Sequence, residues 1–260
     1  PSFVNQAIEH DKLAWGEWEC DLNEDVAQWK SGKISASEKN FITQILRLFT
    51  QSDVIVGGSY VDVFLPRIKN NEARMMMLSF AQRETIHMRS YALLNDTLGF
   101  PESEYTAFLE YEAMSDKIEF MQDNDVSTRK GLGLALAQSA CNEGMSLFSA
   151  FVMLLNYQRF GKMKGMCEIV EWSIRDETMH VDGMTALFRQ YITENLISLY
   201  DDPRIRPERW NSVEQKYKDV FFSWLTKEDL RFFTSVVDST QKDPMWIKRR
   251  NFWLAALFRC

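Results

Sequence analysis

Apolar residues recur every three or four positions along most of the chain, a pattern typical of helices that bury one face. Such helices are predicted over about 35–63, 71–98, 103–121, 131–160 and 164–197. Residues 1–30 are expected to be irregular with one short helix, and residues 211–260 to hold further helices. Since no low-complexity segment or linker divides residues 30–200, we expect a single domain over 1–260.

Composition narrows the class of protein. Only 11 glycines and 6 prolines occur in 260 residues, which favours long helices over a loop-rich β protein. The net charge of −7 and the lack of a basic, aromatic-interleaved patch in the sequence argue against a nucleic-acid partner. The four cysteines form no Cys-x-x-Cys pair, so free thiols in a reducing cytoplasm are expected. The sequence therefore predicts an all-α cytoplasmic protein.

One stretch, residues 131–155, is nearly free of charge and could be mistaken for a membrane span. Its centre is Asn142–Glu143, and a carboxylate at that place is costly in lipid unless it is paired. A helix that is apolar all round can equally be the central helix of a large bundle. The amphipathic helices on either side favour the bundle, so no membrane association is expected.

Candidate chemistry is concentrated in two Glu-x-x-His motifs. They are Glu84-Thr85-Ile86-His87 and Glu177-Thr178-Met179-His180, and each lies within a predicted helix. Residues three apart share a helix face, so each motif directs a carboxylate and an imidazole the same way. The chain has only three histidines, and these motifs contain two of them. Either motif alone could still be a solvated glutamate beside a structural histidine.

A single acid precedes each motif by one predicted helix, Asp53 before the first and Glu143 before the second. Both acids lie on apolar faces, where an unpaired carboxylate is strongly destabilising. Two divalent cations would balance four carboxylates, and mixed oxygen and nitrogen ligands with open positions suit iron or manganese better than tetrahedral zinc. Four helices that each direct one carboxylate inward, two of them with an imidazole, match the known pattern of a ferritin-like bundle with a dinuclear metal site.

Three stretches, Gln82–Tyr91, Asn142–Phe148 and Ile174–His180, resemble the small, radical-generating subunit of class I ribonucleotide reductases. The similarity covers about residues 12–195 and implies an all-α, ferritin-like helical bundle with a dinuclear metal site in its core. The implied cofactor is two iron ions, with manganese or a mixed manganese and iron pair as alternatives. The implied metal ligands are Asp53, Glu84, His87, Glu143, Glu177 and His180.

The same resemblance assigns catalytic roles to three further side chains. Tyr91, one helical turn after His87, corresponds to the radical tyrosine. Asp176 and Trp15 correspond to the route by which the radical leaves through His87. Without the resemblance, the tyrosine and the tryptophan would be interpreted as core residues, and Asp176 as a surface acid or an acceptor for an imidazole N–H. One departure from the family pattern is Ser173, which stands where isoleucine is common.

The implied function is that of a ribonucleoside-diphosphate reductase small subunit. O2 reacts at the metal pair, a radical forms on Tyr91, and the large subunit uses it to reduce ribonucleotides to deoxyribonucleotides. A homodimer and the large subunit are the implied protein partners, and the sequence has no Gly-rich phosphate loop of its own. Two alternatives stay open: an R2-like ligand-binding oxidase or carboxylate-bridged di-iron hydroxylase, and ferritin-like iron storage.

Overall fold

The computed structural model describes residues 2–101, 119 and 125–195 of the chain. Every regular element in those ranges is helical, so the predicted all-α class is confirmed. The α-helices are α1 (Phe3–Asp11), α2 (Asn23–Ser31), α3 (Ala36–Gly58), α4 (Asn71–Leu98), α5 (Arg129–Cys141), α6 (Leu147–Leu155) and α7 (Lys164–Glu194). Short 3₁₀-helices lie at Glu17–Glu19 and Asn156–Phe160, and π-helical turns at Ser59–Phe64 and Asn142–Ser146. The helix predicted over about 103–121 lies almost entirely outside the described residues.

The ends of α3 and α4 follow local signals in the sequence. Ser35 accepts a hydrogen bond from the Glu38 N–H at 3.3 Å, and the Glu38 carboxylate accepts one from the Ser35 N–H at 2.8 Å. Asn70 caps α4 by accepting from the Ala73 N–H at 2.9 Å, and Gly99 ends this helix with a φ of +81°. Glycine adopts this left-handed conformation without the strain that a Cβ would cause. The predicted starts of both helices and the predicted end of α4 are therefore confirmed.

Four helical rods pack around one core. They are α3, α4, α7 and the pair of α5 and α6, which a π-helical turn joins. Buried apolar side chains from all of them fill the interior, including Leu46, Phe49, Met77, Phe80, Leu94, Leu136, Phe151 and Met184. Burial of each large side chain of this kind stabilises the fold by about 1.5–3 kcal/mol. The candidate site also lies in this core, between the four rods.

The apolar stretch at residues 131–155 forms α5, the π-helical turn and α6 within this bundle. It packs mainly against α7, so its uncharged surface is used inside the protein. Among the helices of the described ranges, none combines the length and the apolar character that crossing a bilayer requires.

Residues 1–30 are more regular than expected. They contain α1, a 3₁₀-helix and most of α2 rather than one short helix in an irregular segment. Phe3, Ala7 and His10 lie along the buried face of α1, which packs against α4. A helix of nine residues is marginal by itself, so tertiary contacts stabilise it more than its own sequence pattern does. The expectation of an irregular N-terminal segment was wrong for this reason.

The chain divides into two compact units, residues 1–201 and 202–260. All seven α-helices given above belong to the first unit. The second unit, with the helices predicted over 211–260, lies outside the described residues. A single domain over 1–260 stays a prediction.

Candidate metal centre

All six predicted metal ligands lie inside the bundle and are almost or fully buried. They come from α3 (Asp53), α4 (Glu84 and His87), the second π-helical turn (Glu143) and α7 (Glu177 and His180). Their ligand atoms form two overlapping groups, within each of which they lie within 4.8 Å of one another. The groups are Asp53, Glu84 and His87, and Glu84, Glu143, Glu177 and His180. Glu84 belongs to both groups, so the two groups share one carboxylate.

The Nδ1 atoms of both imidazoles face the carboxylates. His180 Nδ1 lies 3.0 Å from an oxygen of Glu84 and 3.2 Å from oxygens of Glu143 and Glu177. His87 Nδ1 lies 3.5 Å from an oxygen of Glu84 and 3.4 Å from an oxygen of Glu177. Nδ1 is therefore the ring atom that each histidine would offer to a metal, which leaves Nε2 for a protein partner.

Several oxygen and nitrogen atoms of the cluster that could coordinate a metal make no hydrogen bond. Within the described residues, this holds for Asp53 Oδ2, both Glu84 carboxylate oxygens, Glu177 Oε2, His87 Nδ1 and His180 Nδ1, all of which are buried. A buried polar atom left unpaired costs about 1–3 kcal/mol, and more when it is charged. Metal coordination would satisfy these atoms together, and mixed oxygen and nitrogen donors fit iron or manganese. The buried carboxylate and histidine cluster therefore suits a dinuclear metal site.

Charges within the cluster shift the pKa values in opposite directions. Burial raises the pKa of Asp53, and the charge of Glu84 adds to the effect. Burial also raises the pKa of Glu143 despite its contact with His180. Burial alone would lower the pKa of His87 and His180, but the surrounding carboxylates outweigh it and raise both well above 6.5. Protons on the imidazoles thus offset the carboxylate charge in the metal-free cluster, and metal ions would replace them.

Both π-helical turns supply a residue to this region. Glu143 lies in the turn Asn142–Ser146, and Tyr60 lies in the turn Ser59–Phe64. The Tyr60 hydroxyl donates to the Glu143 carboxylate, with both oxygens at 2.8 Å, and Ser139 donates to one of them at 2.9 Å. The sequence analysis did not identify Tyr60, and its only signal was a position on the same helix face as Asp53. π-Helical turns interrupt regular periodicity and are frequent at functional sites.

Asp176 connects Trp15 with a predicted metal ligand. Its Oδ2 accepts a hydrogen bond from Trp15 Nε1 at 2.7 Å and lies 3.2 Å from His87 Nε2. Its Oδ1 accepts from Arg83 Nη1 at 2.7 Å, in a fully buried ion pair that the sequence analysis did not foresee. Trp15 is 6% exposed, whereas Trp18 is 74% exposed. The structure therefore joins Trp15, and not its neighbour, to the cluster.

Tyr91 is buried beside the cluster. Its hydroxyl donates to Ser173 Oγ at 3.0 Å, and Ser173 in turn donates to the carbonyl oxygen of Ile169 at 3.0 Å. The tyrosine ring packs against Phe49, with ring centroids 5.1 Å apart. Burial and the charge of Asp53 raise the pKa of Tyr91 well above 10, so the phenol keeps its proton at neutral pH.

The third histidine of the chain also reaches this region, although no motif marked it. His10 lies on α1 and is fully buried. Its Nε2 lies 3.1 Å from His180 Nε2, and its Nδ1 lies 2.7 Å from Ser79 Oγ. Burial and the charge of His180 lower the pKa of His10 to about 2, so its ring is neutral. The sequence offered no signal for His10 beyond its being the one histidine outside the two motifs.

Comparisons with known proteins agree with this arrangement. The model of the ribonucleotide reductase small-chain family matches residues 3–203, and that of the EH_Signature domain matches residues 179–258. The probable ribonucleoside-diphosphate reductase small subunits 376L of Invertebrate iridescent virus 6 and 048L of Invertebrate iridescent virus 3 are each 40% identical to this chain. These similarities cover 80% and 94% of this chain, but only 61% and 72% of the length of the two relatives.

Solved structures give the same fold. A putative class I ribonucleotide reductase from Bacillus halodurans matches with a TM-score of 0.77 and 18% identity, over 85% of this chain and 81% of the other. An R2-like ligand-binding oxidase from Sulfolobus acidocaldarius matches with a TM-score of 0.63 and 19% identity, over 92% of this chain and 88% of the other. At such low identity these similarities show the fold alone, and they confirm the predicted ferritin-like helical bundle.

Proposed function

The chain belongs to the ribonucleotide reductase small-chain family, and from this we propose that it is the small subunit of a ribonucleoside-diphosphate reductase. In this role it generates a radical on Tyr91, which a large subunit uses to reduce ribonucleotides to deoxyribonucleotides. The observation that carries the proposal is the hydrogen-bonded connection from Trp15 through Asp176 to His87. It links a redox-active indole to the helix that also holds Tyr91. A homodimer and a cytoplasmic location belong to the same proposal.

Two metal ions are the proposed cofactor. The proposed ligands are Asp53, Glu84, His87, Glu143, Glu177 and His180. Their burial, and the lack of a hydrogen bond to several of their ligand atoms within the described residues, support this assignment. Bound iron, manganese or a mixed pair would supply the one-electron oxidant by reacting with O2. The donor types accept each of these metals, so the ligand set does not select among them.

Tyr91 is the proposed radical residue because it combines burial with a position one turn after His87. Since its raised pKa keeps the phenol protonated, the tyrosine must lose its electron and its proton together. We propose that the proton passes to a carboxylate of the cluster, with Asp53 as the acceptor. Among the carboxylates of the cluster, Asp53 is the one whose charge acts most strongly on the phenol. The product is a neutral radical, which apolar neighbours such as Phe49 tolerate better than an ion.

Trp15 and Asp176 are the proposed exit route toward the large subunit. Burial alone would raise the pKa of Asp176, but hydrogen bonds from His87 and Trp15 and the charges of His87 and Arg83 hold it well below its usual value. The carboxylate therefore stays ionised and holds the indole N–H and the imidazole in fixed orientations. Such a fixed connection is what electron and proton movement between the two rings would require.

Electron paramagnetic resonance tests the radical assignment. Metal-free protein loaded anaerobically with iron or manganese and then exposed to O2 should show a tyrosyl signal, and Tyr91→Phe should abolish it. Tyr60→Phe is the matched control, because Tyr60 is also a buried tyrosine and its hydroxyl contacts Glu143 of the cluster. This control should keep the line shape of the signal, whatever its yield. A tyrosyl signal that survives Tyr91→Phe would overturn the assignment, and its loss in Tyr60→Phe would place the radical on Tyr60 instead.

Nucleotide reduction tests the exit route separately. Trp15→Phe should keep the Tyr91 radical signal but abolish ribonucleoside-diphosphate reduction in the presence of the large subunit. Trp18→Phe, at the exposed neighbouring tryptophan, should retain both. Reduction that proceeds normally in Trp15→Phe would contradict the proposed route. Consumption of O2 without any tyrosyl signal in the wild-type protein would instead support an R2-like oxidase.

A further inference from the structure

His10 is a fully buried histidine that the proposed radical chemistry does not use. It reaches the cluster from α1, and its ring packs edge-on against Phe80 with centroids 5.0 Å apart. Phe80 also packs against His180, at 4.5 Å. The two histidines therefore meet beside the ring of Phe80, with their Nε2 atoms 3.1 Å apart. A contact of this length between two ring nitrogens requires one proton between them, since two lone pairs or two protons would repel.

The position of that proton is fixed by a row of four hydrogen-bonded side chains, His180, His10, Ser79 and Asp11. His180 Nδ1 faces three carboxylates and is the atom that a metal would take, so the proton of a metal-bound His180 must be on Nε2. His10 Nε2 must then accept it, which places the His10 proton on Nδ1, 2.7 Å from Ser79 Oγ. The Ser79 hydroxyl donates to Asp11 Oδ1 at 2.5 Å. An ionised carboxylate only accepts hydrogen bonds. The metal-bound His180 at one end of this row and Asp11 at the other therefore fix the direction of each hydrogen bond between them.

We propose that His10 is a positioning residue for the metal centre. It holds His180 in the tautomer with the proton on Nε2 and orients the ring so that Nδ1 faces the metal position formed with Glu143 and Glu177, here called the second metal position. Ser79 and Asp11 hold His10 in the matching tautomer. The inference rests on the proposed metal site and does not depend on the Tyr91 radical.

The two histidine ligands then differ in the charge of their partners. His87 Nε2 faces the carboxylate of Asp176, whereas His180 Nε2 faces His10, a ring that carries a single proton because its Nε2 accepts and its Nδ1 faces Ser79. A carboxylate partner both orients an imidazole and increases its basicity, while a neutral partner mainly orients it. Since His10 contacts His180, whereas the partner of His87 is Asp176, removal of His10 should weaken the second metal position selectively. Loss of such partners typically reduces metal affinity by about 10–100-fold.

Stepwise manganese binding tests the inference. Wild-type protein, freed of metal and titrated anaerobically with Mn²⁺, should bind two ions per chain. His10→Leu should weaken the second ion about 10–100-fold and leave the first almost unchanged, and His10→Gln, which keeps an acceptor, should restore most of the loss. Ser79→Ala should give an intermediate loss. Ser90→Ala is its matched control on the same helix, since the buried Ser90 hydroxyl has no hydrogen-bond partner among the described residues.

Histidine nitrogen NMR provides a readout that a packing role would not change. The chain contains only three histidines, so the spectrum of the zinc-loaded protein has six ring nitrogens to assign. His10 should be protonated on Nδ1 and His180 on Nε2, and Ser79→Ala should disturb the His10 tautomer. Should His10→Leu fail to fold, the Gln and Ser79→Ala variants and the wild-type spectrum still decide the question.

The outcomes separate the two proposals. Wild-type protein that binds no metal would overturn the proposed metal site and, with it, this inference. Wild-type protein that binds two ions, with equal affinities in the His10 variants, would overturn the role of His10 alone. A His10 ring protonated on Nε2 in the zinc-loaded protein would do the same.

Discussion

Replacement of Asp176 by asparagine removes one buried charge and almost preserves the shape of the side chain. Asp176 Oδ1 accepts from Arg83 Nη1 at 2.7 Å, and the two side chains are 0% and 1% exposed. Its Oδ2 accepts from Trp15 Nε1 at 2.7 Å and lies 3.2 Å from His87 Nε2. An asparagine must direct its NH2 group either at Arg83 or at Trp15 and His87, all of which face the carboxylate as donors. At least one buried donor therefore loses its acceptor.

The expected loss of stability follows from the burial of the ion pair. Breaking a buried pair by removing one partner costs about 3–5 kcal/mol, because the other charge stays buried. Arg83 keeps two acceptors, the carbonyl oxygens of Leu13 and His10, each at 3.1 Å. Since these bonds partly stabilise the guanidinium, we expect Asp176→Asn to cost about 3 kcal/mol. For a folded unit of this size, that loss corresponds to a decrease of about 6–12 °C in Tm.

Urea denaturation of the metal-free proteins at pH 7, followed by circular dichroism, measures this loss. A lower midpoint with an unchanged slope would indicate a change in stability alone. Glu17→Gln is the matched control, because Glu17 and Arg89 lie 2.9 Å apart but are 22% and 48% exposed. Such a pair contributes about 0–1 kcal/mol. Similar losses in the two variants, or a loss below about 1 kcal/mol in Asp176→Asn, would refute the reasoning from burial.

The pH dependence of the same variant gives a second check. A carboxylate whose folded pKa is depressed, as that of Asp176 is, stabilises the protein at pH values above its unfolded pKa of about 3.9. The contribution is lost as the pH falls through the folded pKa. The stability difference between wild type and Asp176→Asn should therefore be largest near neutral pH and shrink below about pH 4. A difference that increases in acid would show that another interaction causes it.

Three further outcomes are expected. Ser173→Ala removes the acceptor of the Tyr91 phenol, so high-field electron paramagnetic resonance of the proposed radical should show a changed g-tensor, and Ser90→Ala should not. Tyr60→Phe deprives the buried Glu143 carboxylate of its phenolic donor, so the unfolding free energy of the metal-free protein should fall by about 1–3 kcal/mol in urea titrations. An unchanged midpoint would contradict this. Metal binding should release protons from the two histidine ligands, because burial would lower their pKa but the carboxylates raise it. Apparent metal affinity should therefore rise with pH, and a calorimetric enthalpy independent of buffer ionisation would exclude the coupling.

The side chains of the buried carboxylate and histidine cluster were visible in the sequence because their signals are local. Glu84 and His87 are three positions apart on one helix, and this spacing alone directs both toward the same side. Asp53 stood out because a charged residue on an apolar helix face needs a compensating partner. The structure brings these groups together with their counterparts from the second motif. Helical periodicity and apolar neighbours thus suffice to identify a candidate site residue when its signal lies within a single helix.

Partners that meet only through tertiary packing were not predictable in this way. Tyr60 meets a carboxylate 83 residues later in the sequence, and Arg83 meets Asp176 across 93 residues. No periodic pattern connects positions so far apart, and a tyrosine or arginine on a helix has many ordinary interpretations. Asp176 and Trp15 were identified through the family resemblance, and Asp176 also through its position near a candidate ligand. The π-helical turn that carries Glu143 likewise has no local sequence signature.

The N-terminal segment shows why one part of the fold was misjudged. Its sequence offers α1 only a short buried face, so little of its stability can come from local pattern. Its polar contacts, however, reach both histidines of the cluster: His10 contacts His180 directly, and Trp15 reaches His87 through Asp176. Interactions of this kind act in both directions, because a partner that orients an imidazole is itself held by that imidazole. The segment and the buried cluster therefore stabilise one another, and neither can be understood from its own stretch of sequence.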